Sequence, residues 1–200
     1  MLIKNSFIKY FSFLLSALFI AYVIYIIITS FFIVKNQFID IGDATYVNQV
    51  RTDDYTMKLA DFLTKNCKGD KTSEVQSMLD FVTAIPYKIN ESIARNSKQV
   101  VEQNFGDCDD KSNLLISMLK VKGYEVYFVL VPEHIFVIVN LEKLPNKKAL
   151  YVNDKRFYIL ESTAINSKIG FPLKYSFEKM EAIIDPFVNK KLVVKNLEYR

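Results

Sequence analysis

The first strong pattern along the chain is an unbroken apolar segment. Residues Phe11 to Val34 contain no charged side chain, and twenty-four residues at about 1.5 Å rise each form a helix that can cross a bilayer core of about 30 Å. The pattern predicts a membrane-spanning helix over residues 11–34. A cleaved secretory signal is the alternative, but its apolar stretch is shorter, about 7–15 residues, and ends in small residues. Here the bulky residues Phe31 to Val34 stand in that place.

The charges beside this segment predict its orientation. Lys4 and Lys9 precede it, and Lys35 follows with Asp40 and Asp43 close behind. Because positive charge favours the cytoplasmic side, we expect a cytoplasmic N-terminus and a body outside the cell membrane. A second apolar run of spanning length is not present, which indicates a single pass. Residues 1–35 are therefore interpreted as a membrane anchor.

Amphipathic helices are predicted next. Residues 36–72 are interpreted as a membrane-proximal connection with one helix, Tyr55 to Asn66. A second helix is predicted to begin at Ser73, since Ser73 and Gln76 have the spacing of a capping box. Pro86 marks its end, because proline disfavours helical conformation in the residue before it.

The most informative stretch of the chain is residues 104–119, NFGDCDDKSNLLISML. Four apolar residues recur there at helical spacing: Leu114, Leu115, Met118 and Leu119. Asp109 and Asp110 suit the positive end of a helix dipole, and Gly123 is a plausible C-cap. The helix is thus predicted to start near Cys108, with the thiol in its first turn.

The hydrophobic period then changes from helical to extended. Residues 124–131 and 134–141 are rich in β-branched and aromatic types, which favour strands. Pro132 and Glu133 predict a tight connection between them. A short strand near residues 150–151, a turn at Asn153 and Asp154, and another strand at 156–163 complete a predicted meander.

Helices followed by strands predict an α+β fold, and we assign residues 73–200 to one domain. Its charge is nearly balanced, since the whole chain has 26 Lys and Arg against 22 Asp and Glu. A nucleic-acid-binding domain of this size is usually much more basic, so we expect no nucleic-acid partner. One His and two Cys cannot build a closed zinc site without several carboxylates. We therefore predict neither a metal nor a cofactor.

A thiol nucleophile needs a base, a group that orients the base, and donors for the oxyanion. Cys108 meets the positional requirement, because a helix N-terminus favours a thiolate. His134, the one histidine of the chain, begins a strand soon after that helix. Glu161, on the last predicted strand, is placed to accept a hydrogen bond from His134 and to define its tautomer.

Other interpretations of these residues remain open. A lone Cys at a helix start is more often inert packing than a nucleophile, and a His or Glu in a strand is commonly structural. Asp107, Asp109 and Asp110 crowd Cys108 with negative charge, which raises a thiol pKa. In an oxidising compartment, a disulfide between Cys67 and Cys108 would silence the nucleophile.

The three segments around these residues, NFGDCDDKSNLLISML, VPEHIFVIV and YILEST, resemble the bacterial branch of the transglutaminase-like superfamily. These are papain-related thiol enzymes, and the resemblance covers roughly Ser73 to Gly170. It implies a core in which a Cys-bearing helix packs on an antiparallel sheet. It also implies roles of nucleophile for Cys108, base for His134 and orienting acid for Glu161.

Two positions of that resemblance are less defined. The family more often has Asp as the third residue, which leaves Asp154 as an alternative to Glu161. The side chain that assists the oxyanion is not identified by any motif, and Tyr87 and Gln103 are the candidates. The calcium used by animal members has no recognisable loop here.

The resulting expectation is a membrane-anchored thiol hydrolase acting on peptide or amide bonds, either a cysteine protease or an amidase. Acyl transfer to an amine is a variant of the same chemistry. The alternative is a catalytically inactive transglutaminase-like binding module at the cell envelope. The implied partners are a protein or peptide substrate and the membrane.

Overall fold

The computed structural model describes residues 6–42, 45–90 and 95–200, apart from the side chain of residue 36. The chain divides into two compact units, Met1–Phe38 and Ile39–Arg200. In the first, helix α1 spans Ser6–Gln37. Residues Ser6–Lys35 of this helix have a mean hydropathy of 2.6 and are long and apolar enough to cross a membrane. Thr29, a polar residue within it, donates its hydroxyl to the carbonyls of Tyr25 and Ile26.

The second unit contains four helices: α2 (Asp54–Thr64), α3 (Lys71–Ala84), α4 (Ser97–Gln103) and α5 (Cys108–Val121). Two short strands, β1 (Phe38–Asp40) and β2 (Thr45–Val47), pair with each other. A 3₁₀ turn spans Phe177–Lys179. The helices and the large sheet described next make this an α+β fold, as the order of patterns in the sequence predicts.

The large sheet has seven strands. In chain order they are β3 (Val126–Val131), β4 (His134–Val139), β5 (Leu150–Val152), β6 (Lys155–Leu160), β7 (Ala182–Asp185), β8 (Lys190–Lys191) and β9 (Leu197–Tyr199). Their spatial order is β8-β7-β3-β4-β6-β5-β9, and neighbouring strands run antiparallel. Strand β6 lies beside β4, with Val137 opposite Leu160, and β5 lies outside β6.

Two turns have the geometry that the sequence predicts. Val131 pairs with His134, so Pro132 and Glu133 form a two-residue connection with a positive φ at Glu133. Asn153 and Asp154 both have positive φ between β5 and β6, as a type I′ hairpin turn requires.

Both faces of the sheet are buried, and alternate residues of a strand enter different cores. On β4, Ile135 and Val137 join the core formed with the helices, to which α5 contributes Leu114, Leu115, Met118 and Leu119. Phe136 and Ile138 join a second core with Phe157 and Ile159 of β6. This double burial explains why HIFVIV is an almost continuous apolar run rather than an alternating one.

Several elements differ from the prediction. Helix α3 begins at Lys71 rather than Ser73, because the Asp70 side chain accepts from the amides of Thr72 and Ser73 and caps the helix earlier. Helix α4 and strands β7 to β9 were not predicted, since they are short and weakly patterned. The predicted meander is wrong in its order. The connection of residues 140–149 lets β5 pass beyond β6, and the side chain of Asn140 bonds the carbonyl of Arg156 at 2.7 Å.

Strand β2 and helix α2, which precede α3, pack within the second unit. Helix α2 contacts both α3 and α5. Tyr46 of β2 donates its hydroxyl to the side-chain oxygen of Asn113 on α5, at 3.1 Å. Helix α5 is buried on several sides, and the sheet covers only one of them. Helix α2 and strand β2 cover part of the rest.

Candidate active site

Cys108 is the first residue of α5. The preceding Asp107 caps the helix, since its side chain accepts from the amide of Asp110 at 3.1 Å. The other carboxylate oxygen of Asp107 accepts from the amide of Asn90 at 3.0 Å. The capping geometry therefore places the thiol in the first helical turn, as the sequence predicts.

Steric crowding explains why the residue before this cap is a glycine, Gly106. A Cβ at this position would lie 3.0 Å from Cβ of Asp110 and 3.2 Å from Cγ of Lys111. Gly106 also forms a parallel bridge with Tyr87, with backbone bonds to Pro86 and Lys88. The absent side chain thus lets the segment from Pro86 to Lys88 run close to the start of α5.

Asp110 has a structural role. It accepts from the backbone amide of Arg95 at 2.6 Å and from two guanidinium nitrogens, the nearer at 2.7 Å. Its side chain is completely buried. Arg95 also donates to the carbonyl of Phe105 and stacks on the Phe105 ring. Asp107 and Asp110 thereby bond the backbone at Asn90 and at Arg95 to the Cys-bearing helix.

His134 and Glu161 form a direct hydrogen bond. Nε2 of His134 lies 2.9 Å from Oε2 of Glu161. Oε1 of Glu161 accepts from the amide and hydroxyl of Thr163, at 3.1 and 2.6 Å. The two side chains are 16% and 11% exposed. With Nε2 engaged by the carboxylate, Nδ1 is the ring nitrogen left for another group.

Cys108 lies at the same end of the sheet. Its thiol donates to Oδ1 of Asp109, with the sulfur 3.8 Å from that oxygen, and the backbone amides of Asp109 and of Ile135, the residue after His134, act to lower its pKa. One turn further along α5, the hydroxyls of Ser112 and Ser162 are 3.0 Å apart, and Ser112 also donates to the carbonyl of Ile135. These contacts join the start of α5 to the start of β4 and to the residue after Glu161. All three predicted residues thus lie in one region.

The electrostatics oppose a free thiolate. Burial, followed by the charges of Asp109 and Asp107, raises the pKa of Cys108 to about 12, and the backbone amides of Asp109 and Ile135 offset only part of that increase. At that pKa on the order of one thiol in 10⁵ is ionised at pH 7. Burial, with Asp107 and Asp110, also raises the pKa of Asp109. The thiol is therefore predominantly protonated near neutral pH.

Glu161 is held in its ionised form. Burial alone would raise the pKa of its carboxyl, but hydrogen bonds from His134 and Thr163 leave that pKa below the ordinary value. An ionised acid bonded to Nε2 favours a proton on that nitrogen and leaves Nδ1 as the acceptor in the neutral ring. That tautomer is the one that can take a proton from a thiol.

Tyr87, Gln103 and Asp154 have different surroundings. Burial, followed by the charge of Cys108, raises the pKa of Tyr87, and the residue is 54% exposed. The side-chain oxygen of Gln103 accepts from Arg95. Asp154 occupies the turn before β6 and accepts from Asn196. It therefore lies at the opposite end of β6 from Glu161.

Three residues near the site carry no recognisable signal in the sequence. Arg95 lies within the polar stretch of residues 88–103, and no motif sets Lys111 apart from the other charged residues of α5. Lys111 is instead 1% exposed and donates to the carbonyl of Ile85 at 2.8 Å. Burial lowers its pKa, partly offset by the charge of Glu161.

Tyr175 is the third residue near the site that carries no recognisable signal in the sequence. Its ring stacks on His134, with centroids 6.1 Å apart and planes 24° apart, and also on Phe136. Burial raises the pKa of the Tyr175 hydroxyl, with smaller contributions from Glu161 and Cys108. Its segment has no regular secondary structure, so no periodicity in the sequence points to this contact.

A cavity of about 200 Å³ adjoins the His134–Glu161 pair on the second face of the sheet. Phe136, Ile159 and Tyr175 are among its walls. Within the ranges of the chain described above, three or more His, Cys, Asp or Glu side chains are nowhere grouped so that they could hold a metal ion. The reactive groups that the structure gathers in this region are the thiol of Cys108, the imidazole of His134 and the carboxylate of Glu161.

Comparisons with known proteins complete the description. A scan against models of protein families finds no match, and a search of curated proteins finds none either. Among solved structures, a candidate cysteine protease from Cytophaga hutchinsonii is similar over 58% of this chain, with 15% identity and a TM-score of 0.42. A candidate protease from Parabacteroides distasonis is similar over 60% of this chain, with 16% identity and a TM-score of 0.38. The similar regions span 40% and 28% of those two proteins.

Proposed function

We propose that this chain is a membrane-anchored thiol hydrolase that cleaves amide bonds in proteins or peptides, with a transglutaminase-like Cys-His-Glu triad. Cys108 is the nucleophile, His134 the base and Glu161 the orienting acid. The observation that carries this proposal is the 2.9 Å hydrogen bond between His134 and Glu161 at the end of the sheet where α5 begins with Cys108.

The reaction follows from the tautomer that Glu161 favours. Nδ1 of His134 takes the thiol proton as the sulfur of Cys108 attacks the carbonyl carbon and a carbon–sulfur bond forms. The negative charge moves to the carbonyl oxygen, where the backbone amide of Cys108 and the hydroxyl of Tyr87 are the proposed donors. The carbon–nitrogen bond then breaks, and the amine leaves with the proton from His134.

Release of the acyl group completes the cycle. Water attacks the thioester while His134 accepts a proton from it, and the carbon–sulfur bond breaks. The carboxylic acid leaves, and the proton on His134 returns to the sulfur to regenerate the thiol. An amine in place of water would give acyl transfer by the same steps. We favour hydrolysis, because water needs no binding site of its own.

The membrane placement is part of the same proposal. Helix α1 is the anchor, with a single pass, a cytoplasmic N-terminus and the catalytic domain on the outer side of the cell membrane. Its support is the length and hydropathy of Ser6–Lys35, together with Lys4 and Lys9 ahead of the uncharged run of residues 11–34. An enzyme tethered in this way would meet substrates at the cell envelope.

A second candidate function is an inactive binding module of the same fold. The pKa of about 12 for Cys108 favours it, since a protein that has lost its chemistry has no need of a reactive thiol. The two candidates differ in one property: only the enzyme transfers an acyl group to Cys108.

The test is acylation of the full-length protein in detergent by p-nitrophenyl acetate, read as a burst of p-nitrophenolate and as an acetyl group located by mass spectrometry. We expect acetylation at Cys108 in the wild type and in Cys67→Ser, the matched control for the other free thiol. Cys108→Ala should show no burst, and His134→Ala a much slower one. Cleavage of short peptide anilides should follow the same order.

If Cys108 stays unmodified in folded wild-type protein, the enzyme proposal is wrong and the binding module is the better description. Acetylation at Cys108 with no effect of His134→Ala would remove the base from the mechanism. Equal bursts in Cys108→Ala and the wild type would place the reactive group elsewhere in the chain.

A further inference from the structure

The cavity beside His134 has a composition suited to a side chain of a substrate. Its apolar walls include Phe136 and Ile159 from the sheet and Phe171 and Leu173 from the segment that covers it. Its volume is about 200 Å³, and a cavity of about 150 Å³ lined by aliphatic side chains is large enough to hold benzene. A branched aliphatic side chain therefore fits within these walls.

The polar groups at the inner end of this cavity are already engaged. Oε2 of Glu161 is bonded to His134 and Oε1 to Thr163. Lys174, at the rim, places its ammonium 4.9 Å from the centre of the Phe171 ring. A cationic side chain entering the cavity would be desolvated without a free carboxylate and would meet a like charge, which is costly.

The sheet separates this cavity from the thiol. Helix α5, which begins at Cys108, packs on the face that carries Ile135 and Val137. The cavity opens on the other face, which carries Phe136 and Ile159. His134, the first residue of β4, lines the cavity, while the sulfur faces the amide of the next residue, Ile135.

This arrangement assigns the cavity to one side of the scissile bond. In the proposed reaction the acyl group remains on the sulfur, whereas the amine departs with a proton from His134. The part of the substrate beyond the leaving nitrogen must therefore extend past His134, away from the thiol. His134, the group that protonates the leaving amine, lines the cavity.

We infer that this cavity is the specificity pocket for the residue on the amine side of the scissile bond and that it selects a branched aliphatic side chain. The inference rests on the proposed function and adds its substrate class. By microscopic reversibility, the same pocket binds the amine when an acyl group is transferred from Cys108 to an amine acceptor.

The test uses the full-length protein in detergent, p-nitrophenyl acetate as acyl donor, and leucinamide or alaninamide as acceptor. Cys108 attacks the ester, the carbon–oxygen bond breaks and p-nitrophenolate leaves. The acceptor nitrogen then attacks the thioester, the carbon–sulfur bond breaks, and the ammonium proton passes to His134 and back to the thiol. The partition ratio, which is the amount of N-acetylated acceptor divided by the amount of free acetate, measures how well each amine is bound.

Leucinamide and alaninamide have the same branching at Cα and similar amine basicity, so they differ in the side chain alone. We expect a partition ratio about tenfold or more higher for leucinamide, as the burial of an aliphatic side chain implies. Lysinamide, which carries a charge, should not exceed alaninamide.

Two substitutions at Leu173 probe the pocket, because this residue lies on the covering segment and is only half buried. Leu173→Trp should fill the cavity and remove the preference for leucinamide, and Leu173→Ala should weaken it. Leu192→Trp is the matched control, since Leu192 packs on the same second core but does not line the cavity. It should retain the preference.

The outcomes separate this inference from the proposed function. Without a burst of p-nitrophenolate, the proposed function fails before any amine is compared. A normal burst with equal partition of leucinamide and alaninamide overturns the pocket alone. Retention of the preference in Leu173→Trp, with an unchanged burst, also overturns it.

Discussion

Arg95 binds Asp110 through both its backbone amide and its guanidinium, at 2.6 and 2.7 Å, in the first turns of the helix that begins with Cys108. Both side chains are buried, at 9% and 0% exposure. Of the three acids around the thiol, Asp110 therefore has a structural role, which is to bind Arg95. Asp107 has a structural role as the helix cap, and Asp109 remains as the acid whose charge bears on Cys108 most directly.

The Arg95–Asp110 pair should be essential for stability. Arg95→Met leaves the Asp110 carboxylate buried without its cation, and we expect a loss of about 3–5 kcal/mol in the free energy of unfolding. Urea denaturation of the full-length protein measures it. Lys98→Met is the control, because the Lys98–Glu102 pair is 3.7 Å long with both side chains about 60% exposed. That variant should lose no more than about 0.5 kcal/mol. Equal losses in the two variants would contradict the structural role of Asp110.

Asp109 should suppress the reactivity of Cys108. The Cys108 sulfur lies 3.8 Å from Oδ1 of Asp109. The charge of this carboxylate is the second-largest cause of the raised thiol pKa, after burial. Asp109→Asn removes the charge at constant size, so the pKa of Cys108 should fall and its alkylation by iodoacetamide at pH 8 should accelerate. Each unit of pKa corresponds to about tenfold in thiolate.

The control for that experiment is Asp54→Asn, an exposed Asp in the first turn of α2. It should leave the alkylation rate of Cys108 unchanged, and Cys67 serves as an internal reference in every variant. An alkylation rate in Asp109→Asn equal to that of the wild type would show that burial alone sets the reactivity of the thiol.

Glu161 should stabilise the fold in a pH-dependent way. Its pKa is lowered in the folded protein from the ordinary 4.5, because the bonds from His134 and Thr163 outweigh burial. The stabilisation is therefore complete above pH 4.5 and is lost as the pH falls through the lowered folded value. The difference in unfolding free energy between wild type and Glu161→Gln should be largest near pH 7 and should shrink in acid. Glu142→Gln, at an exposed site, should show a pH-independent difference near zero.

Tyr175 should act as a positioning residue for His134. Its ring stacks on the imidazole at 6.1 Å, so Tyr175→Leu frees the imidazole to rotate away from Glu161. We expect kcat for p-nitrophenyl acetate to fall roughly two- to tenfold, with little change in KM. Tyr175→Phe retains the ring and should restore the rate.

Tyr127→Leu is the control for this substitution, because Tyr127 makes an edge-to-face contact with Phe157 in the second core. It should destabilise the fold without a selective loss of kcat. If Tyr127→Leu and Tyr175→Leu reduce kcat equally, the effect is one of packing and not of positioning.

Local signals in the sequence were sufficient for much of this picture. The span of α1, the start of α5 at Cys108, and the two-residue turn at Pro132 and Glu133 each depend on neighbouring residues alone. Capping, helix periodicity and turn chemistry act over a few positions, so they are readable before the fold is known. The start of α3 was misjudged because Asp70 and Ser73 both suit a capping position, and the choice between them depends on where the preceding chain turns.

The arrangement of the site was only partly predictable. Cys108, His134 and Glu161 stood out because residue type, order and predicted element agreed. The sequence did not show that β6 pairs with β4, and this pairing is what brings Glu161 to His134. Nor did it show Arg95, Lys111 or Tyr175, whose roles depend on contacts between segments without periodic patterns.

The sequence by itself determined the apolar helix, the α+β succession of elements and the position of the thiol at a helix start, because each is a short-range property of the chain. Only the tertiary structure decided which strands are neighbours, which acids are buried with partners, and which side of His134 holds a cavity. Those features depend on how both faces of the sheet are covered. The hydrophobic effect is non-directional, so a local sequence pattern does not specify which segment covers which part of the sheet. Packing in three dimensions determines it.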